Sequence, residues 1–171
     1  MPRADQSGLG SVVIVGGGFA GLYTALALAS RPSPPPILLI EPRERFVFLP
    51  LLYELLSGEL HSWEIAPSYD TLLAGRGVAW LQDRVERIDT STRSLLTRRG
   101  RSLAYGRLVL ATGAGENRFG VPGADTHALG FRNLSDVDRL RRLVQKLRHE
   151  PRPLQRLVAV SYTHLTLPTK A

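Results

Sequence analysis

"SVVIVGGGFAGLYTALAL", residues 11–28, passes from a β-branched apolar run through three consecutive glycines into a stretch rich in alanine and leucine. Residues 12–15 read as a short buried strand and residues 19–29 as a helix, because β-branched residues suit the first and alanine and leucine the second. Gly16, Gly18 and Gly21 fall between the two elements in the spacing G-x-G-x-x-G. That spacing has a physical logic. The first glycine permits a tight turn, the second lets a diphosphate approach the backbone, and the third lets the helix lie close on the sheet. Unpaired amides at the start of the helix then face the phosphates. A stiff linker, "SRPSPPP", follows the helix, and the apolar residues 37–40 supply the next strand. The result is a βαβ unit with two parallel strands and a right-handed crossover.

Spacing alone would fit any glycine-rich turn from strand to helix. Glu41 adds a second condition, since it closes the second strand about 20 residues beyond Gly21. A carboxylate there accepts hydrogen bonds from an adenosine ribose and disfavours a 2′-phosphate. Arg43 and Arg45 either line the adenine or diphosphate or stand as exposed charges. FAD and the nicotinamide dinucleotides share this fingerprint, so the choice between them rests on later segments.

Composition narrows the classes. The chain has 171 residues, 43% hydrophobic and 22% charged, which is ordinary for one globular domain able to bury a core. Its net charge of +7 comes mostly from arginines spread along the chain rather than from a lysine-arginine block. That distribution favours an anionic cofactor or membrane surface over nucleic acid. Cysteine is absent, so these residues contain no disulfide framework, thiolate metal site or cysteine nucleophile. The first ten residues lack an apolar signal core, and no run approaches the roughly 18 apolar residues of a membrane span. The expected location is cytoplasmic, or peripheral on the cytoplasmic face of a membrane. His61, His127, His149 and His164 lack metal-ligand spacing, and no metal site is expected.

Farther along, Pro50 suits a helix start and Gly58 its end, and residues 68–74 read as a short helix capped by serine. From residue 77 to 111 short alternating segments separated by turn residues read as a strand, a small antiparallel meander and a return strand. Residues 133–150 form an amphipathic helix, with Val137, Leu140, Val144 and Leu147 on one side and arginines on the other. "PRPLQ" reads as a linker and "RLVAV" as the start of another buried strand.

Two stretches carry a family resemblance. "RLVLATGA", residues 107–114, is an apolar strand ending in Thr-Gly after a meander. It resembles the second FAD contact of flavoproteins with two dinucleotide domains. "FVFLPLLYELLSGELHSWEIAP", residues 46–67, resembles the Pro-Leu-Leu-Tyr segment of type II NAD(P)H:quinone oxidoreductases, and its wording is closest to their cyanobacterial and plastid branch. That branch is implicated in reducing demethylphylloquinone-type naphthoquinones. The resemblance implies an α/β fold: a FAD-type Rossmann βαβ domain with an antiparallel β-meander, cut off before the nicotinamide-binding domain. It puts the FAD diphosphate at Gly16, Gly18 and Gly21, the ribose at Glu41, and Arg43 beside the cofactor. Pro50 and Leu51 would lie by the flavin, Val85 would meet adenine through its backbone, and Ala111, Thr112 and Gly113 would close the site. NAD(P)H would be the electron donor, and a quinone of naphthoquinone or plastoquinone type the acceptor. The flavin does the chemistry, so no catalytic acid, base or nucleophile is assigned.

Related disulfide reductases and sulfide:quinone reductases use cysteines that this chain lacks. Two other readings remain open: a dinucleotide-binding module without turnover, and a nicotinamide-dependent dehydrogenase.

The last segment breaks the family pattern. Where a second glycine fingerprint would begin, the chain continues "LVAVSYTHLTLPTKA". Residues 160–169, "VSYTHLTLPT", resemble the translation of a transposase-based sequencing-library adapter. The expected organisation is therefore a FAD-binding domain at residues 11–122, incomplete for want of its C-terminal return. A connecting segment at 123–156, a first strand at 157–160 of a truncated NAD(P)H-binding domain and a non-native tail at 161–171 follow. The expectation is also that this part of a longer protein binds FAD weakly or not at all and has no NAD(P)H:quinone activity. Peripheral membrane contact is expected through the missing C-terminal region.

Overall fold

A computed structural model describes residues 10–149 and Val158. Its centre is β1 (Val12–Val15), four consecutive apolar residues that are all buried. An unbroken apolar strand of this kind suits the middle of a parallel sheet covered on both faces. β1 pairs in parallel with β2 (Ile37–Ile40) on one side and with β7 (Arg107–Leu110) on the other. The third parallel neighbour, β3 (Val78–Leu81), pairs with β2, which gives the order β3-β2-β1-β7.

The period of two along β1 divides its side chains between two cores. Val12 and Ile14 join Leu22 and Ala25 of α1 (Phe19–Ala29) and Tyr69 and Leu73 of α4 (Tyr69–Leu73). Val13 and Val15 meet Leu95 and Tyr105 from the opposite face. Leu95 belongs to an antiparallel meander of β4 (Val85–Asp89), β5 (Ser94–Thr97) and β6 (Ser102–Ala104). The parallel sheet is thus sandwiched between helices and the small meander that the alternating segments predict.

The boundaries of β1, α1 and β2 coincide with the sequence reading. Ser68 caps α4, its hydroxyl accepting the Thr71 amide at 3.2 Å. The region after Pro50 differs from expectation. In place of one helix, a 3-10 turn (Leu49–Leu51) leads into α2 (Leu52–Ser57), which Gly58 closes with a left-handed φ of 91°. The Leu51 amide closes the tight turn on the Phe48 carbonyl at 3.1 Å, so the α-helical ladder starts only after it. Two four-residue helices, α3 (Ser62–Ile65) and α5 (Ala124–His127), are too short to leave a periodic signal.

α6 (Leu134–His149) begins at Asn133, whose Oδ1 accepts the Asp136 amide at 2.9 Å. Asp136 returns the favour by accepting the Arg132 amide at 2.8 Å. Val137 is fully buried with Leu52, Leu55 and Ile65, whereas Leu140, Val144 and Leu147 are half-buried. One arginine departs from the expected solvated face: Arg141 turns inward and donates to the carbonyls of Leu55 and Leu56 at the end of α2. The expected linker, the strand at 157–160 and the tail at 161–171 lie outside the described residues, Val158 excepted.

Candidate functional site

The carboxyl ends of the parallel strands bring the predicted residues together. Gly16 follows β1, Glu41 follows β2 and Ala111 follows β7. Hydrogen bonds extend the ladders past the strand ends, from the Gly16 amide to Ile40 at 2.9 Å and from the Ala111 amide to Val15 at 2.8 Å. Chain connections leave β1 toward β2 on one side and return to it as β7 on the other. Such a switch point leaves a crevice beyond the strand ends, and ligands of open α/β sheets bind there.

The glycines occupy it in distinct ways. Gly16 has φ of 101°, a conformation that side chains resist, and a Cβ there would strike the Ala111 carbonyl. A Cβ on Gly21 would strike the Gly16 carbonyl, so this glycine sets how closely α1 approaches the turn. Around Gly18, by contrast, a Cβ would meet nothing within 4 Å. Gly18 is the N-cap of α1 and offers no side-chain cap, and the first turn carries no acid. The amides opening the helix therefore face the crevice without a competing carboxylate.

Two clefts meet at this turn. The larger, about 780 Å³, is lined by Gly16, Gly18, Phe19, Val47 and Leu49 and by residues 111–116. The smaller, about 320 Å³, is lined by Pro42, Asp83, Arg84 and Val85. Gly16, Glu41, Arg43 and Thr112 line both.

Glu41 is 3% exposed, and both its oxygens are engaged. Oε2 accepts the Gly17 amide at 2.7 Å and Arg43 Nη2 at 3.0 Å. Oε1 accepts the Arg43 amide at 3.0 Å and Arg43 Nε at 2.7 Å. Burial pushes the carboxyl up, but the Arg43 side chain and amide and the Gly17 amide outweigh it and hold Glu41 below its ordinary 4.5. Asp83, beside the smaller cleft, is also buried. Desolvation raises its carboxyl, yet the neighbouring Thr97 hydroxyl and the Arg84 and Arg99 amides hold it below 3.8.

Not every predicted residue reaches the clefts. Leu49 and Val47 line the larger one, while Pro50 does not and Leu51 faces a separate apolar groove between α1 and α3. Arg45 donates to the Ala66 carbonyl at 2.9 Å. The sequence reading missed Gly17, whose Cβ would lie 2.5 Å from the Tyr69 hydroxyl, and missed Tyr69 itself. It also missed Gly130, Arg132, Asp136 and Arg139, which give the larger cleft a wall from the expected connecting segment. The Asn133-x-x-Asp136 cap was the available signal for that wall.

Comparisons with known proteins cover most of the chain. The sequence profile of the pyridine nucleotide-disulphide oxidoreductase family matches residues 10–160. The demethylphylloquinone reductase NdbB of Synechocystis is 40% identical over 144 residues, covering 80% of this chain and 36% of that protein. An alternative NAD(P)H-ubiquinone oxidoreductase, C1, of Arabidopsis thaliana is 41% identical over 153 residues, covering 80% and 30%. Among solved structures, the sulfide:quinone oxidoreductase of Aquifex aeolicus superposes with a TM-score of 0.76 at 27% identity, over 82% of this chain and 33% of that one. The chain spans about a third of the length of the curated relatives it matches.

Proposed function

The chain belongs to the pyridine nucleotide-disulphide oxidoreductase family, and on that premise we propose that it is the FAD-binding part of an NAD(P)H:quinone oxidoreductase. One observation carries the reading: a glycine turn with free helix amides sits where two clefts join, between a buried carboxylate and the Thr-Gly end of β7. A long ligand with a diphosphate in its middle suits that shape. The open space at Gly18 is the cradle a side chain would fill.

In this assignment Gly16, Gly18 and the first amides of α1 hold the diphosphate, while Gly21 keeps the helix close enough to reach it. Glu41 takes the ribose, and Val85 lines the adenine cleft. Residues 111–113 with Val47 and Leu49 form the flavin side. The four acceptor directions of Glu41 are already filled, so ribose binding requires Arg43 to release its guanidinium bonds. The ribose hydroxyls then take the place of those bonds on the buried carboxylate, and the freed guanidinium, whose side chain is 53% exposed, is available to the diphosphate. Bound FAD would accept hydride from a nicotinamide and pass two electrons onward. The chain's own part is to bind, orient and shield the group.

The relatives' names support NAD(P)H as donor and a quinone as acceptor. A naphthoquinone or plastoquinone type is the acceptor this reading favours. Such acceptors are lipid-soluble, so the reading includes peripheral contact with a membrane; no helix among the described residues is long and apolar enough to cross one. The test is a chimera in which residues 10–149 replace the matching segment of the Synechocystis reductase. It should purify yellow and oxidise NAD(P)H with a naphthoquinone. A folded but colourless chimera would contradict the assignment.

A further inference from the structure

Gly17 is gripped from both sides. Its amide donates to Glu41 Oε2 at 2.7 Å, and its carbonyl accepts the Tyr69 hydroxyl at 2.6 Å. Tyr69 is fully buried beneath the turn, its ring 5.4 Å from that of Trp80. The chain has no cis peptide among the described residues. In a trans peptide the carbonyl and the next N–H point in opposite directions. The Gly17 carbonyl aims inward at Tyr69, so the Gly18 N–H in the same plane aims outward, on the side where Gly18 lines the larger cleft. That N–H donates to no group among the described residues.

Three glycines in a row leave their peptide planes weakly determined, because glycine has little torsional preference. Something outside the loop must choose the orientation. We propose that Tyr69 is a positioning residue for anion binding, its hydroxyl fixing the peptide plane that presents the Gly18 amide to a ligand's diphosphate. Burial, and then the charge of Glu41, push the phenol well above its ordinary value, so Tyr69 remains a donor across the working pH range. The fit is close: a Cβ on Gly17 would lie 2.5 Å from the hydroxyl and 2.8 Å from Glu41 Cγ. The loop is thus built around this contact.

The inference rests on the dinucleotide reading, and ADP and adenosine separate the two. Tyr69→Phe keeps the ring and removes the donor. It should weaken ADP about three- to tenfold and leave adenosine unchanged, because a single hydrogen bond's worth of preorganisation is lost. If the unsubstituted chain prefers ADP to adenosine and Tyr69→Phe does not alter that preference, Tyr69 has no positioning role. If the unsubstituted chain binds ADP no tighter than adenosine, the dinucleotide reading itself fails. Should Tyr69→Phe not fold, NMR of the unsubstituted chain decides. ADP should shift the Gly18 amide and slow exchange of the Tyr69 hydroxyl proton, and adenosine should do neither. A hydroxyl proton indifferent to ADP would overturn the proposal.

Discussion

Gly17 and Gly18 are neighbours with opposite constraints. A methyl on Gly17 collides with the Tyr69 ring and Glu41, whereas a methyl on Gly18 enters open space. Gly17→Ala should therefore destabilise the fold by about 2 kcal/mol or more, through overpacking against the buried Tyr69 and Glu41 side chains. Gly18→Ala should cost under about 1 kcal/mol, the modest penalty of alanine at an N-cap, yet weaken ADP about tenfold. Thermal unfolding and an ADP titration on both variants measure the contrast, and equal stability losses would contradict it. The fingerprint glycines were legible because their spacing is local. The need for Gly17 was not, since its partner Tyr69 lies 52 residues away in the chain. Glu41 was visible from its distance to the turn, but its four-way engagement was not, because that depends on the rotamer of Arg43.

Among the elements, unbroken apolar runs made β1 and β2 readable, and helical periodicity did the same for α6. The four-residue helices α3 and α5 and the 3-10 turn at Leu49–Leu51 escaped, because so few residues span barely one turn and carry no period. The stripe on α6 was read correctly, but the sequence offered no reason to single out Arg141. The free carbonyls at the end of α2 explain its inward turn: they need donors, and a half-buried guanidinium supplies them. Val137→Ala should cost about 2 kcal/mol by leaving a cavity against Leu52 and Leu55. Arg141→Met should cost about 1 kcal/mol by orphaning the α2 carbonyls. Denaturant unfolding measures both. If neither changes the midpoint, α6 does not anchor on α2 as described.

For the whole molecule, the alternating segments between β3 and β7 foretold a meander, and the return strand foretold a parallel sheet. Strand order was not in any one segment, since β7 reaches β1 only through the folded chain. Charge also acts at this scale. Glu41 is held below its ordinary 4.5, so its ionised form contributes stability that is fully present above that value. That contribution is lost as the pH falls from 4.5 through the lower folded value. Glu41→Gln should lower stability at neutral pH and flatten this acid limb. It should not abolish the limb, because Asp83 and Asp89 are likewise held below 3.8. A limb unchanged by Glu41→Gln, followed by unfolding as a function of pH, would show that Arg43 and the Gly17 amide do not stabilise the carboxylate.

Adding FAD to the isotope-labelled chain and following each backbone amide by NMR, which detects even millimolar binding, tests whether the turn at residues 16–21 grips the FAD diphosphate. The amides of Gly16, Gly18, Phe19 and Ala20 should move first and furthest, together with those of residues 111–113. Amides at the turn that stay fixed while others respond would contradict that grip.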